Sequence, residues 1–175
     1  GEVIDKFEAS SGITTRFYAP DDWVTSDLAV EAGKKALANA GLKPEDLDLI
    51  ILGTDSPDYI TPATSVVVQH KLGAKKAAAF DLNAACSGFV YGLHVANSLI
   101  KSGAHNRILL VGAEVISKFT DWSDRTTCVI FGDGAGAVLL EGTKEKRGIY
   151  STHIYSDGSL SDLISLPGGG SQYPC

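Results

Sequence analysis

The chain has 175 residues, of which 44% are hydrophobic and 21% charged, as in a globular domain or one large half of something bigger. Its formal net charge of −6 argues against a nucleic-acid-binding protein. Three cysteines without CxxC spacing argue against a disulfide framework or a zinc site. Because no apolar run approaches the ~20 residues of a membrane span, we expect a protein of the reducing cytoplasm that binds no membrane.

Helices and strands are predicted to alternate along the first two thirds of the chain. The predicted helices cover residues 25–41, 62–73 and 86–102, and the predicted strands residues 47–52, 77–82 and 108–111. Gly41 and Gly73 mark two helix ends, and Thr61 is the expected N-cap of the second helix. This alternation predicts a layered α/β fold with a mixed, mostly parallel sheet that is buried on both faces.

The last third of the chain predicts strands joined by tight turns and therefore an antiparallel sheet edge. The expected strands are residues 128–131, 135–140 and 149–155. Residues 132–137 match the letters of the dinucleotide fingerprint G-x-G-x-x-A, but an apolar strand follows them where that motif requires a helix. A glycine turn between strands is therefore the favoured interpretation.

Cys86 is the strongest candidate functional residue. It lies where an apolar strand gives way to a small-residue helix, and a thiol at a helix N-terminus has its thiolate form favoured by the helix dipole. A small buried apolar residue is the ordinary alternative for a free cysteine. The small neighbours Ala84, Ala85, Ser87 and Gly88 favour an approachable nucleophile.

The helix after Cys86 carries Gly88, Gly92 and Ala96 four residues apart, which predicts very close packing on one face. His94 lies eight residues after Cys86, about 12 Å along this helix at ~1.5 Å per residue, so it is a poor general base for the thiol. A cysteine nucleophile usually has a partner base, and the chain offers no clear one. No two histidines have metal-ligand spacing, so no metal site is expected.

Arg125 lies in a polar loop, residues 121–127. A solvated arginine is the ordinary interpretation of such a side chain. The alternative is a contact with phosphate or adenine, since a guanidinium group both pairs with phosphate and stacks on rings.

Several segments together resemble the β-ketoacyl-acyl carrier protein synthase III family of the thiolase-like fold. They are residues 81–93 (DLNAACSGFVYGL), 123–125 (SDR) and 131–137 (FGDGAGA), with weaker support from residues 12–16 (GITTR), 151–153 (STH) and 157–159 (DGS). The resemblance covers nearly the whole chain. The segment around Cys86 is highly specific, whereas the glycine segment is only supportive.

The resemblance implies that residues 1–175 form the N-terminal half-domain of a chain about twice as long, a fragment whose second half would carry a catalytic histidine and asparagine. The chain begins with Gly1 and stops in a loop-like stretch, which agrees with this expectation. The implied enzyme is an acyltransferase of fatty acid biosynthesis. Cys86 would take an acyl group from acyl-CoA and condense it, with decarboxylation, with malonyl on acyl carrier protein.

The family likeness also implies the substrate contacts. Arg125 would lie against the CoA adenine, and Phe131, Ile116 and Leu163 would surround the acyl pocket. CoA would be a substrate carrier and no cofactor is implied. The expected partners are acyl-CoA, acyl carrier protein and a second copy of the chain in a homodimer.

Two departures from the family pattern affect substrate choice. Lys6 and Ser10 stand where primer enzymes usually carry a tryptophan and an arginine of the CoA site, so CoA binding would be weaker or the donor would be a carrier protein. Thr61 stands where acetyl-specific relatives carry a bulky aromatic that closes the acyl tunnel at the dimer interface. We therefore expect a primer longer than acetyl.

Two other functions are compatible with the sequence. The first is an acyltransferase of secondary metabolism that forms an ester or amide without decarboxylation. The second is a non-catalytic half-domain that pairs with a catalytic partner.

Overall fold

The computed structural model describes residues 2–174, and the side chains from residue 5 onward. Four helices and four strands alternate as far as the third strand. They are α1 (Glu2–Ser11), α2 (Thr25–Ala40), β1 (Leu49–Gly53), α3 (Thr64–Leu72), β2 (Ala78–Leu82), α4 (Gly88–Lys101), β3 (Arg107–Val115) and β4 (Asp133–Glu141). The predicted alternation of helix and strand is confirmed, and short 3₁₀ turns occur at residues 44–46, 85–87, 116–118 and 158–160.

The four strands form one mixed sheet in the order β2-β1-β3-β4. Strands β1, β2 and β3 run parallel, and β4 runs antiparallel to β3. The predicted mixed, mostly parallel sheet is therefore confirmed, with its antiparallel edge at β4. The central strands are the apolar ones because they are covered by helices on both sides.

Two hydrophobic clusters lie on opposite faces of the sheet. On one face, α2 and α3 pack on the sheet through residues such as Leu37, Val68 and Leu109. On the other face, α4 packs through Ala96 against Ile51 and Leu110. This three-layer arrangement fixes α4, and the turn that precedes it, against the carboxyl ends of β1 and β3.

The small-residue face of α4 is buried as predicted. Gly88, Gly92 and Ala96 all lie in the interface with the sheet. A Cβ atom on Gly92 would come within 2.4 Å of Leu110 Cδ1, and the Gly88 backbone lies against Gly53 at the end of β1. The close approach at Gly92 therefore depends on glycine, and the backbone contact between Gly88 and Gly53 holds the start of α4 to the sheet.

The start of α3 differs from the prediction. The helix begins at Thr64, and the Thr61–Pro62 peptide bond that precedes it is cis. Thr61 is not the N-cap, because Asp81 on β2 accepts the free N–H groups of Thr64 and Ser65, both at 2.7 Å. The capping group thus comes from a strand, where the local sequence pattern cannot indicate it.

Two predicted strands of the last third are wrong. Residues 128–131 form turns, because the Arg16 guanidinium donates to the carbonyl oxygens of Cys128 and Phe131, at 2.5 and 2.9 Å. Residues 149–155 lie along α4, where Tyr91 donates to the carbonyl of Tyr155 at 2.9 Å. The expected turn at residues 132–134 is also wrong, since β4 already begins at residue 133.

Candidate active site

Cys86 lies in the short turn that connects β2 to α4. The 3₁₀ turn spans Ala85–Ser87, and α4 begins at Gly88 rather than at Cys86 as predicted. Ala85 has a φ of +47°, a left-handed conformation that non-glycine residues rarely adopt. The Cys86 side chain is exposed, which excludes the buried alternative and leaves the thiol open to an incoming substrate.

A cleft of about 260 Å³ opens beside Cys86. Its lining comes from the Cys86 turn, α4, the end of β3 and the start of β4: Ala85, Cys86, Phe89, Gly112, Ala113, Glu114, Gly134, Ala135 and Gly136. A Cβ atom on Gly134 or Gly136 would meet nothing within 4 Å. The small residues of β4 therefore leave the space in front of the thiol empty, and no nucleotide loop forms at residues 132–137.

Among the residues that the structure describes, Glu114 is the only charged one that lines this cleft. Its carboxylate accepts hydrogen bonds from the backbone N–H groups of Asp55 and Ser56, at 2.8 and 3.1 Å. The hydroxyl groups of Ser56 and Thr54 also lie against the carboxylate, and Ser56 Oγ accepts from the Val115 N–H at 2.9 Å. The end of β3 is thereby bonded to the loop after β1.

Two carboxyl groups near Cys86 have raised pKa values. Burial raises the pKa of Glu114 above its ordinary value of 4.5, and the charge of Asp55 adds to the shift, while hydrogen bonds from Ser56 and from the Asp55 N–H oppose it. Burial also raises the pKa of Asp55, against the stabilising effect of the Ala85 N–H on the carboxylate. The charge of Asp55 thus acts on Glu114, and the Ala85 N–H of the Cys86 turn acts on Asp55.

Changing Glu114 to Gln should alter how stability depends on pH. The raised pKa means that the folded protein keeps a proton on Glu114 after the unfolded chain has released it near pH 4.5. Glu114 therefore makes the free energy of unfolding fall as pH rises through the range just above 4.5. Denaturant unfolding across this range should show that decline more strongly in the wild type than in E114Q. Parallel pH profiles of the two proteins would contradict it.

The other predicted substrate residues lie outside the cleft. Arg125 is exposed in the loop before residues 128–131, and Ile116 is half-buried directly after β3. Phe131 is 39% exposed and Leu163 is 75% exposed, and Thr61 is exposed in the loop before α3. Within residues 2–174, the structure thus does not bring these five side chains to Cys86, and their substrate contacts stay predictions.

The Arg125 loop contains two turns that are closed by hydrogen bonds within the loop. Asp121 accepts from the Ser123 N–H and hydroxyl, at 2.9 and 2.7 Å, and Asp124 accepts from the Thr126 N–H and hydroxyl at the same distances. Hydrogen bonds from these side chains lower the pKa of each aspartate. The loop therefore holds Arg125 on the surface in a defined turn.

None of the histidines that the structure describes lines the cleft beside Cys86. His94 lies on α4, and its Nδ1 is 2.6 Å from the hydroxyl of Thr152. In residues 2–174 there is also no group of three or more His, Cys, Asp and Glu side chains that could hold a metal ion. No helix in that part of the chain is both long and apolar enough to cross a membrane.

Sequence reasoning missed Glu114 and Asp55. One signal was available: Glu114 interrupts an otherwise apolar or small-residue run, residues 108–115, in which a lone acid is unusual for a strand buried on both faces. Asp55 lies two residues after the end of β1, the other central strand. Parallel strands place their carboxyl ends at one sheet edge, so both acids could have been assigned to the edge that carries Cys86.

Comparison with known proteins identifies similar sequences and structures. Residues 80–158 match the family model described as 3-oxoacyl-[acyl-carrier-protein] synthase III. The β-ketoacyl-[acyl-carrier-protein] synthase III of Clostridium perfringens is 54% identical over 158 residues, which are 90% of this chain and 48% of the relative. The enzyme of the same name from Ehrlichia canis is 49% identical over 160 residues, 91% of this chain and 50% of the relative.

A solved structure also shares the fold of this chain. The crystal structure of 3-oxoacyl-[acyl-carrier-protein] synthase III from Aquifex aeolicus VF5 superposes with a TM-score of 0.87 and 46% identity, over 91% of this chain and 52% of that chain. The chain thus spans about half the length of the relatives that it matches. The thiolase-like half-fold that the family resemblance implies is confirmed.

Proposed function

Because this chain belongs to the β-ketoacyl-[acyl-carrier-protein] synthase III family and matches its N-terminal half, we propose that it carries the acyl-accepting nucleophile of a condensing enzyme. Residues 1–175 would form one half-domain, and a second half-domain would complete the protein. The observation that carries the proposal is the exposed Cys86 thiol, which directly follows the left-handed residue Ala85 and lies beside an open cleft lined mostly by small residues.

The proposed reaction has two acyl-transfer steps. The Cys86 thiolate attacks the carbonyl carbon of an acyl-CoA, forms an acyl thioester with the protein and releases CoA as a thiolate. Malonyl on acyl carrier protein then loses CO₂, and the resulting carbanion attacks the thioester and frees the Cys86 thiolate. Backbone N–H groups, including that of Cys86, would stabilise the oxyanion. A histidine and an asparagine of the second half would stabilise the enolate.

Arg125 is the proposed contact for the CoA adenine. Its guanidinium group is exposed on a loop whose shape is fixed by the Asp121 and Asp124 turns. A preformed loop lowers the entropy lost when an arginine binds a ligand. Lys6 and Ser10, which replace an aromatic and a cationic residue of the family pattern, would weaken CoA binding. A free-thiol active site of this kind suits the reducing cytoplasm.

Thr61 is the proposed determinant of primer length. It lies on an exposed loop of its own subunit, and in a homodimer that loop would reach the acyl tunnel of the partner subunit. Phe131, Ile116 and Leu163 would complete the tunnel wall once the second half is present. A threonine there leaves room for a primer longer than acetyl.

Changing Thr61 to Phe should shorten the accepted primer. An aromatic side chain would fill tunnel volume, so the rate with an eight-carbon acyl-CoA should fall about tenfold or more relative to acetyl-CoA, because overfilling a closed pocket costs about 1–3 kcal/mol. The measurement is the initial rate with a series of donor lengths. Thr61→Val serves as the matched control, because it removes the hydroxyl group and keeps the size of the side chain. A wild type that uses acetyl-CoA alone would contradict the proposal.

A condensation assay with the full-length protein tests the proposed function. The protein is given an acyl-CoA and malonyl-acyl carrier protein, and both CO₂ release and the 3-oxoacyl product are measured. Equal amounts of CO₂ and product are expected. Transfer of the acyl group to a hydroxyl or amine acceptor without CO₂ would support the acyltransferase alternative, and no acyl uptake at all would support a non-catalytic half-domain.

A further inference from the structure

We propose that Asp81 is a positioning residue for primer choice, and that it acts by fixing the Thr61 loop, residues 58–64. The proposal rests on the proposed function, in which Thr61 sets the length of the acyl group. It assigns a task to an acidic side chain that neither acyl-transfer step uses, because the lining of the Cys86 cleft in the described part of the chain does not include Asp81.

The carboxyl end of the Thr61 loop is bonded to the sheet. Asp81 lies on β2, and its two carboxylate oxygens accept the backbone N–H groups of Thr64 and Ser65, each at 2.7 Å. Thr64 and Ser65 are both fully buried. Because each oxygen takes one N–H group of the first turn of α3, the pair fixes both the position and the direction of the chain. Hydrogen bonds to a charged acceptor are also stronger than neutral ones, and a carboxylate suits the positive end of the helix dipole.

The amino end of the Thr61 loop is held as well. The N–H group of Asp58 donates to the Thr64 hydroxyl at 2.9 Å, which joins the two ends of the loop directly. The Asp58 carboxylate accepts the N–H group of Ser26, in the first turn of α2, at 2.9 Å. The loop is therefore bonded to α2 at one end and to β2 at the other.

Between these anchors the tip of the Thr61 loop is exposed and largely apolar. Tyr59 is 62% exposed and Ile60 is 77% exposed, and Thr61 follows them, also exposed. Burial of apolar side chains against a hydrocarbon chain is favourable, so a tip of this composition suits the apolar end of an acyl tunnel in the partner subunit. The loop thus combines a fixed base with an apolar tip, as a stop that limits acyl length requires.

Length selection depends on the rigidity of such a stop. One methylene more or less in an apolar pocket changes a rate by about 10- to 200-fold. A wall that moves aside costs the longer substrate less, and the discrimination falls. Without the Asp81 carboxylate, the first N–H groups of α3 would bond to water instead of β2, so the Thr61 loop would move relative to the sheet. We therefore expect loss of this carboxylate to admit longer donors.

The test compares donor-length profiles of the full-length protein. Purified wild type, D81A and the control D48A are mixed with acyl-CoA donors that lengthen by two carbons at a time, and the rate of acyl-Cys86 formation is followed by mass spectrometry. Asp48 is the matched control because its carboxylate also accepts two adjacent backbone N–H groups, those of Asn106 and Arg107, at 2.9 Å each. Asp48 directly precedes β1 and thus lies at the opposite edge of the sheet.

The shape of the profile separates positioning from a general loss of structure. For the wild type and D48A, the rate should fall about tenfold or more at the first donor beyond the length limit. In D81A this fall should shrink below about threefold, while the rate with acetyl-CoA stays within about threefold of the wild type, because no group of the Cys86 cleft is changed.

Four results would count against these expectations. An unchanged length limit in D81A, an equal loss of rate with every donor in D81A, or an equal broadening in D48A would overturn the proposal, as would a wild type without a length limit. A wild type that forms no acyl-Cys86 would instead overturn the proposed function.

A second pair of variants keeps the test decisive if D81A does not fold. Thr64→Val keeps the size of the side chain but removes the hydroxyl group that accepts the Asp58 N–H, whereas Thr64→Ser retains that group. The valine variant should broaden the length profile as D81A does, with a fall below about threefold at the limit, and the serine variant should match the wild type. A wild-type profile in the valine variant, or the same broadening in both variants, would overturn the proposal.

Discussion

Replacing Cys86 with alanine is expected to abolish acyl uptake from an acyl-CoA, a loss of more than about 10³-fold in rate. Among the described residues that line the cleft, Cys86 carries the only thiol group, and removing a nucleophile leaves only the binding contribution to catalysis. The rate of acyl transfer to the full-length protein, followed by CoA release, measures the effect.

The matched control for this prediction is Cys128→Ala. Cys128 is a half-buried free cysteine outside the cleft, in the segment that Arg16 holds through its carbonyl groups. Its loss should leave acyl uptake within about twofold of the wild type. Persistent acyl uptake by C86A, or an equal loss in C128A, would show that Cys86 is not the acceptor.

Changing Gly92 to Val should destabilise the fold by about 3 kcal/mol. Already the first side-chain atom would lie 2.4 Å from Leu110 Cδ1 and 3.3 Å from Leu110 Cδ2. Leu110 is fully buried in β3, so its methyl groups have little room to move, and overpacking a filled core costs about 1–3 kcal/mol or more. Denaturant unfolding of the full-length protein measures the change in the free energy of unfolding.

Gly88→Ala is the control for this second prediction. Gly88 lies on the same face of α4, but its added Cβ would meet Gly53 Cα at 3.7 Å and the Leu82 carbonyl at 4.0 Å, which are ordinary contacts. We expect a change within about 1 kcal/mol, because alanine also has the better helix propensity. Similar losses for G92V and G88A would mean that α4 does not approach the sheet as closely as described.

Short-range sequence patterns predicted the helices and strands whose formation depends on residues close together in the chain. Gly41 and Gly73 end α2 and α3 in left-handed conformations, as expected for glycine after the last helical turn. The apolar runs of β1 and β3 predicted buried parallel strands. The sequence predicts Cys86 at the junction of β2 and α4 because an apolar strand gives way there to a small-residue helix.

Long-range hydrogen bonds account for most of what sequence patterns missed. Asp81 caps α3 from a strand 16 or 17 residues away, and Arg16 turns a predicted strand into a loop across more than 100 residues. Glu114 bonds to residues 58–60 positions earlier in the chain. No short-range period encodes such partners, so only the folded structure identifies which groups these side chains bond.

Peptide mapping by mass spectrometry tests whether Cys86 accepts an acyl group from a CoA thioester. The full-length protein is mixed with an excess of acyl-CoA at neutral pH before it is digested. We expect one acyl group per chain, located on the peptide that contains Cys86 and released by hydroxylamine, as a thioester is. An unmodified Cys86 peptide, or an acyl group found only on another cysteine, would contradict it.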